Sequence, residues 1–197
     1  MVTAPGRRIA VIGSAANPAP ATLASQGYGS GHVPEVGYQP GVVSPLSAIT
    51  ARAARDGDVV TYADSTNATV AAGVAKAADT AIVFVNDVHV EGADRPDLDA
   101  HGGTCIVIPS SSCTYDGVDQ NALVSAVAAA NPNTVVVLQS GGPVSMPWLA
   151  SVQAVVEDWL PGQVDGDALA PLLFGDVNFS GKLPVTFPKS LADGPLR

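Results

Sequence analysis

Two uninterrupted apolar runs, TAIVFVN (80–86) and TVVVLQS (134–140), limit the fold of this chain more than any other feature. A strand with one wet face alternates apolar and polar residues. A run without that alternation must be covered on both faces, as in the centre of a parallel sheet. Such a sheet needs crossover connections, and the sequence supplies them. RRIAVIG (7–13) reads as a third buried strand ending in glycine, and DVVTYA (58–63) and AVVEDWL (154–160) as further strands. SPLSAITARAAR (44–55) reads as a helix with Ser44 as N-cap, Pro45 at the first helical position, and Leu46, Ile49 and Ala53 on one face. STNATVAAGVAKAA (65–78), GVDQNALVSAVAAANPN (117–133) and DGDALAPLLFG (165–175) read as helices, the second stopped near Asn131-Pro132 and the third weakened by Pro171. MPWLASV (146–152) reads as a short helix, and GKLPVTFP (181–188) as a loop and short strand.

Strands alternating with helices predict an α/β fold, a mostly parallel sheet with right-handed crossovers and helices on both faces. At 197 residues the chain suits a single domain with one sheet. Ligands of such folds sit beyond the carboxyl ends of the strands. Three segments reach that edge: a long Gly/Pro-rich loop (16–43), the stretch after 80–86, and SGGPV after 134–139.

The middle segment is unusual. FVNDVHVEGADRPDLDAHGG (84–103) holds Asp87, Glu91, Asp94, Asp97 and Asp99 with Arg95, His89 and His101, in a chain only 14% charged. Three readings stand side by side: a solvated loop, a metal cage, or an acid/base site in which neighbours tune one carboxyl. The order of ligands does not follow a calcium-binding helix–loop–helix hand, and no metal or other cofactor is expected. GYGSG (27–31) lacks the direct strand-to-helix turn of a dinucleotide loop and reads as a structural loop over a neighbouring site. The serines, Ser30 in Gly-Ser-Gly and Ser140 in Gln-Ser-Gly, do not match the nucleophile-elbow pattern, although His32, His89 and His101 are bases by residue type.

Net charge of −9 and only three lysines argue against nucleic-acid binding. No apolar run is long enough to span a membrane. Cys105 and Cys113 lie eight apart and predict a local disulfide, and with it an oxidising compartment. The opening MVTAPGRR has no apolar stretch of signal-peptide type and reads as the start of a fragment. The Asn-X-Ser/Thr triplets at Asn67 and Asn178 are too common by chance to argue from.

Four segments in order resemble one family: GYGSGHVPEVGYQPGVVSPLSAI, AADTAIVFVNDVHVEGADRPDL, NALVSAVAAANPNTVVVLQSGGPVSMPWL and VVEDWLPGQVDGDALAPLLFGDVNFSGKLPVTFP. Together they are similar to the carboxyl-side α/β sandwich of the family 3 glycoside hydrolases, the β-glucosidases and β-xylosidases. The resemblance spans about residues 7 to 190, and PGQ…G…LFGDVNFSGKLPVTFP is its most specific part. It implies a three-layer sandwich around a mostly parallel six-stranded sheet. It also implies a retaining mechanism on terminal β-linked sugars, in oligosaccharides or aryl glycosides, with two carboxyl groups. The acid/base glutamate matches Glu91. Asp94 and Arg95 match the adjacent DR and are expected to form an ion pair that shapes the loop at the sugar. Gly29, Ser30, Gly31 and His32 are expected to line the entrance. The family's nucleophile lies on a preceding barrel domain, which is therefore the implied partner, and the fibronectin-like domain that often follows is not in this sequence. The parent protein is expected to be secreted or periplasmic. Self-association through the face a barrel would cover is a further expectation. The alternative is a stand-alone sandwich that binds a carbohydrate or a protein, or that cleaves esters through a serine and a histidine.

Overall fold

A computed structural model describes residues 6–18, 43–64, 66–92, 94–106, 112–162 and 164–193. Five parallel strands form the central sheet: β1 (Arg8–Ile12), β2 (Val59–Ala63), β3 (Thr80–Asn86), β6 (Thr134–Gln139) and β7 (Ala154–Glu157), in the order β2-β1-β3-β6-β7. β4 (Gly103–Ile106) and β5 (Ser112–Tyr115) form a separate antiparallel hairpin. Among the described residues the α-helices are α1 (Pro45–Arg55), α2 (Ala68–Lys76), α3 (Gln120–Ala130) and α4 (Asp165–Phe174).

The two apolar runs became adjacent central strands. Ala81 to Asn86 pair in register with Thr134 to Gln139, and all seven residues of β3 are buried. Side-chain alternation then divides the core in two. Ala10, Ile12, Ala81, Val83, Val85, Val136 and Leu138 face Ala71 and Ala75 of α2 and Leu123, Val124 and Val127 of α3. Ile9, Val11, Ile82, Phe84 and Val137 face Ile49 and Ala53 of α1 and Leu169, Ala170 and Leu173 of α4. Helices therefore cover both faces, as the sequence pattern predicts.

Helix ends follow local chemistry. Ser44 Oγ accepts from the Ser47 amide, with Pro45 opening α1. Asn67 accepts from the Thr69 and Val70 amides at α2, and Asp119 from the Ala122 amide at α3. Asn131 ends α3 and sends its amide to the carbonyls of Ala75 and Ala78, fastening the end of α2. Gly175, in the left-handed conformation, closes α4.

Two expectations need correction. The sheet has five strands among the described residues, not six. Residues 181–188 run as irregular chain with Leu183 and Val185 exposed, and Pro184 and Pro188 each lack the amide a ladder requires. The cysteine segment, expected as a loop, is a hairpin. Its two cysteines stand directly opposite one another in register and are disulfide-bonded, as their spacing predicts.

Candidate functional site

The carboxyl ends of β3, β6 and β7 form one rim. The first residue beyond β3, Asp87, organises it. Its side chain is wholly buried, and burying a carboxylate is costly unless its oxygens are satisfied. Arg95 Nη1 donates to Oδ2 at 2.8 Å, the His101 amide donates to Oδ1 at 3.2 Å, and His89 Nδ1 lies 3.4 Å from Oδ2. The Asp87 amide donates to the Gln139 carbonyl at the end of β6, continuing the ladder one residue past β3.

Asp87 and Arg95 thus close a loop at its root, and Glu91 lies midway, four residues from each. Gly92, at φ 84, turns the chain directly after it. The Glu91 side chain is exposed and has no hydrogen-bond or ion-pair partner among the described residues. Its carboxyl is held out on the loop and is not engaged by any of the described residues.

The expected Asp94–Arg95 pair does not form. Arg95 spends its guanidinium on Asp87 and, from Nη2, on the Pro143 carbonyl at 2.8 Å. Asp94 is exposed and unpartnered among the described residues. A cation gains more from a carboxylate sealed from water than from one already hydrated. Asp97 and Asp99 are likewise more than wet loop acids. Asp97 accepts from the Asp99 amide and from His101 Nε2, each at 2.8 Å. Asp99 accepts from Asn121 Nδ2 and Ser145 Oγ, tying the segment to α3 and to the chain after β6. Gly29, Ser30, Gly31 and His32 lie outside the described residues.

The β6 end supplies the opposite wall. His89 packs so closely on Gly141 that a Cβ there would lie 2.5 Å from two ring atoms. Ser140 is buried, and its hydroxyl faces the Gly142 carbonyl at 2.8 Å and Glu157 Oε1 at 3.3 Å. Those partners are not histidines, so Ser140 is not held as an esterase nucleophile.

Sequence reading passed over the acids at the end of β7. Burial pushes the Glu157 carboxyl up to about 7, against the hydrogen bonds from Trp159 N and Ser140. Burial also raises Asp158 and Asp165, the latter further through the charge of Asp158, while Gln139 Nε2 donates to Asp165 at 2.7 Å. Trp159 follows at φ 53, a left-handed conformation that costs a bulky residue energy. The signal was available: Glu157-Asp158 directly follows an apolar run, which places both acids at a carboxyl edge. Among the described residues no group of three or more His, Cys, Asp and Glu side chains is arranged to hold a metal ion.

The profile of the glycosyl hydrolase family 3 C-terminal domain matches residues 3–196. The chain belongs to that family. A β-glucosidase of Rhizobium radiobacter is 45% identical over 131 residues, covering 62% of this chain and 14% of the relative. A probable β-glucosidase L of Aspergillus terreus is 42% identical over 184 residues, 87% of this chain and 22% of the relative. The crystal structure of a β-D-glucoside glucohydrolase from Trichoderma reesei superposes with a TM-score of 0.78 at 33% identity, covering 100% of this chain and 28% of that one. This family 3 domain therefore spans between about a seventh and about a quarter of the length of these relatives.

Proposed function

We propose that this family 3 domain supplies the proton-donating half of a retaining β-glucosidase, with Glu91 as acid/base on terminal β-linked sugars. The observation that supports the reading is the Glu91 loop: it is closed at its root by the Arg95 ion pair to the buried Asp87, and midway along it presents Glu91, exposed and without a partner among the described residues, while Asp94, equally exposed, lies beside the Arg95 anchor. An acid/base must be held by its surroundings yet keep its own oxygens for the substrate.

In the retaining mechanism one carboxylate attacks the anomeric carbon and displaces the leaving group. The acid protonates the departing oxygen, then as a base takes a proton from the water that breaks the glycosyl-enzyme. The nucleophile would come from a partner barrel domain, and the sugar would be held mostly there. Asp94, with Gly29, Ser30, Gly31 and His32, would border the sugar, while Arg95 serves by holding the loop. Acid/base assistance contributes on the order of 10²–10⁴-fold, far below total enzymatic accelerations of at least about 10⁶. The isolated domain should therefore be a very poor glycosidase. The hairpin disulfide supports a secreted or periplasmic location.

The test is a fusion of this domain behind the amino-terminal portion of the Rhizobium radiobacter relative, with and without Glu91→Gln. Loss of about 10²-fold or more in kcat/KM on cellobiose, with much less loss on 2,4-dinitrophenyl β-glucoside, is the expected result. A good leaving group needs no proton. Equal loss on both substrates sinks the acid role.

A further inference from the structure

We propose that Glu157 is a positioning residue for the Glu91 loop, acting through the Ser140 hydroxyl on the turn at residues 140–143. The proposal rests on the reading of Glu91 above only for what the loop does; the relay itself stands on geometry.

Ser140 has one hydroxyl proton and two acceptors within reach, the Gly142 carbonyl at 2.8 Å and Glu157 Oε1 at 3.3 Å. A hydroxyl donates once. When Glu157 is protonated, the carboxyl donates to Ser140 Oγ and Ser140 donates to Gly142, so the hydroxyl serves both neighbours without competition. When Glu157 is ionised it can only accept, and it competes with Gly142 for the same proton. The turn is thus held in one protonation state and contested in the other. Glu157 Oε2 is buried without a hydrogen-bond partner among the described residues, a place where a carboxylate is poorly stabilised.

The turn in question holds the Glu91 loop at two points. Pro143 O receives Arg95 Nη2 at 2.8 Å, and Gly141 seats the His89 ring. Both side chains converge on Asp87 at the loop root. A change at Glu157 is therefore passed through Ser140, Gly142-Pro143 and Arg95 to Asp87, the root of the Glu91 loop, along a continuous chain of contacts between two strand ends. The charged groups around it are Asp158, which disfavours a second negative charge, Asp165 behind Asp158, and His89, Arg95 and Asp87 across the turn. Burial places the Glu157 titration at about 7, where the relay would switch under ordinary conditions.

The test is nitrogen-detected NMR of the purified domain from pH 5 to 9, following the Gly142 amide and Arg95 Nε. The wild type should show an inflection near neutrality at both. Glu157→Gln, whose amide always donates to Ser140, should hold both signals at their low-pH positions throughout. Ser140→Ala should disconnect them from pH. His89→Gln, which removes the imidazole seated on Gly141, should leave the inflection in place. An inflection that survives Glu157→Gln, or disappears with His89→Gln, or is absent from the wild type, overturns the relay. In the fusion enzyme, Glu157→Gln should extend activity on cellobiose about tenfold further at pH 8 than the wild type retains. If Glu91→Gln shows no acid role but the NMR relay holds, the functional reading fails and the relay stands.

Discussion

Arg95 and Asp87, eight residues apart, meet at 2.8 Å with the carboxylate side chain wholly shielded from water. Removing one partner of such a pair leaves an uncompensated buried charge. Arg95→Ala should therefore lower unfolding free energy by about 3 kcal/mol, and protease should then cut within residues 88–94. Arg95→Lys keeps the charge but cannot fork to both Asp87 and Pro143, so it should cost about 1 kcal/mol. Urea titrations of the three proteins give the order; an alanine variant as stable as the wild type would contradict the anchoring role.

Two glycines test how tightly the rim is built. A Cβ on Gly13 would lie 2.3 Å from the Phe84 carbonyl oxygen, and its φ of 111 disfavours any side chain. The obstacle is backbone of the central strand and cannot step aside. Gly13→Ala should cost about 3 kcal/mol or more. Gly141→Ala meets only the end of the His89 ring, which can swing away. Its stability cost should stay below about 1 kcal/mol, while His89 becomes more reactive toward diethyl pyrocarbonate.

The sheet was readable because its cause is local. Continuous apolar runs at Thr80–Asn86 and Thr134–Gln139 admit few structures other than doubly covered parallel strands. The caps at Ser44 and Asn131 were readable for the same reason. The site was readable only in part. Glu91 drew attention through the resemblance and its place after a buried strand. The partner of Arg95 was not readable, because Asp87 and Asp94 are both near in sequence and burial alone decides between them. The role of Ser140 and Glu157 depends on β6 and β7 being neighbours, which strand order sets and no single segment encodes.

The Cys105–Cys113 bridge should stabilise the hairpin and little else. Its loop is short, with a separation of eight, and chain entropy for such a loop amounts to about 2.5 kcal/mol. Gly103, Thr104 and Cys105 of β4 and Ser112 to Tyr115 of β5 belong to neither apolar core. Reduction, or Cys105→Ser with Cys113→Ser, should raise amide exchange across 103–106 and 112–115 while β3 and β6 stay protected. Global unfolding on reduction would show that the hairpin supports the sheet after all.

Stability should fall as pH rises toward and past neutrality. Glu157 is raised from 4.5 to about 7 by burial, and Asp165 is raised by burial and by the charge of Asp158. Between 4.5 and about 7 the unfolded chain has released the Glu157 proton while the folded domain still holds it. The folded state binds more protons in that window, so stability declines as pH increases, and Asp165 extends the decline upward. Asp79 and Asp176 oppose this at the acid end. Hydrogen bonds from Arg8 and Arg52 hold their carboxyls below the usual range, so that contribution is lost as pH falls through their lowered values. The urea midpoint should accordingly peak on the acid side of neutrality and drop by pH 8. Asp165→Asn places a neutral donor against Asp158 and removes one of the raised acids. It should flatten the decline and make the domain more stable than the wild type at pH 8; a midpoint that rises with pH in both proteins would show that these carboxyls are ionised in the folded domain at no cost.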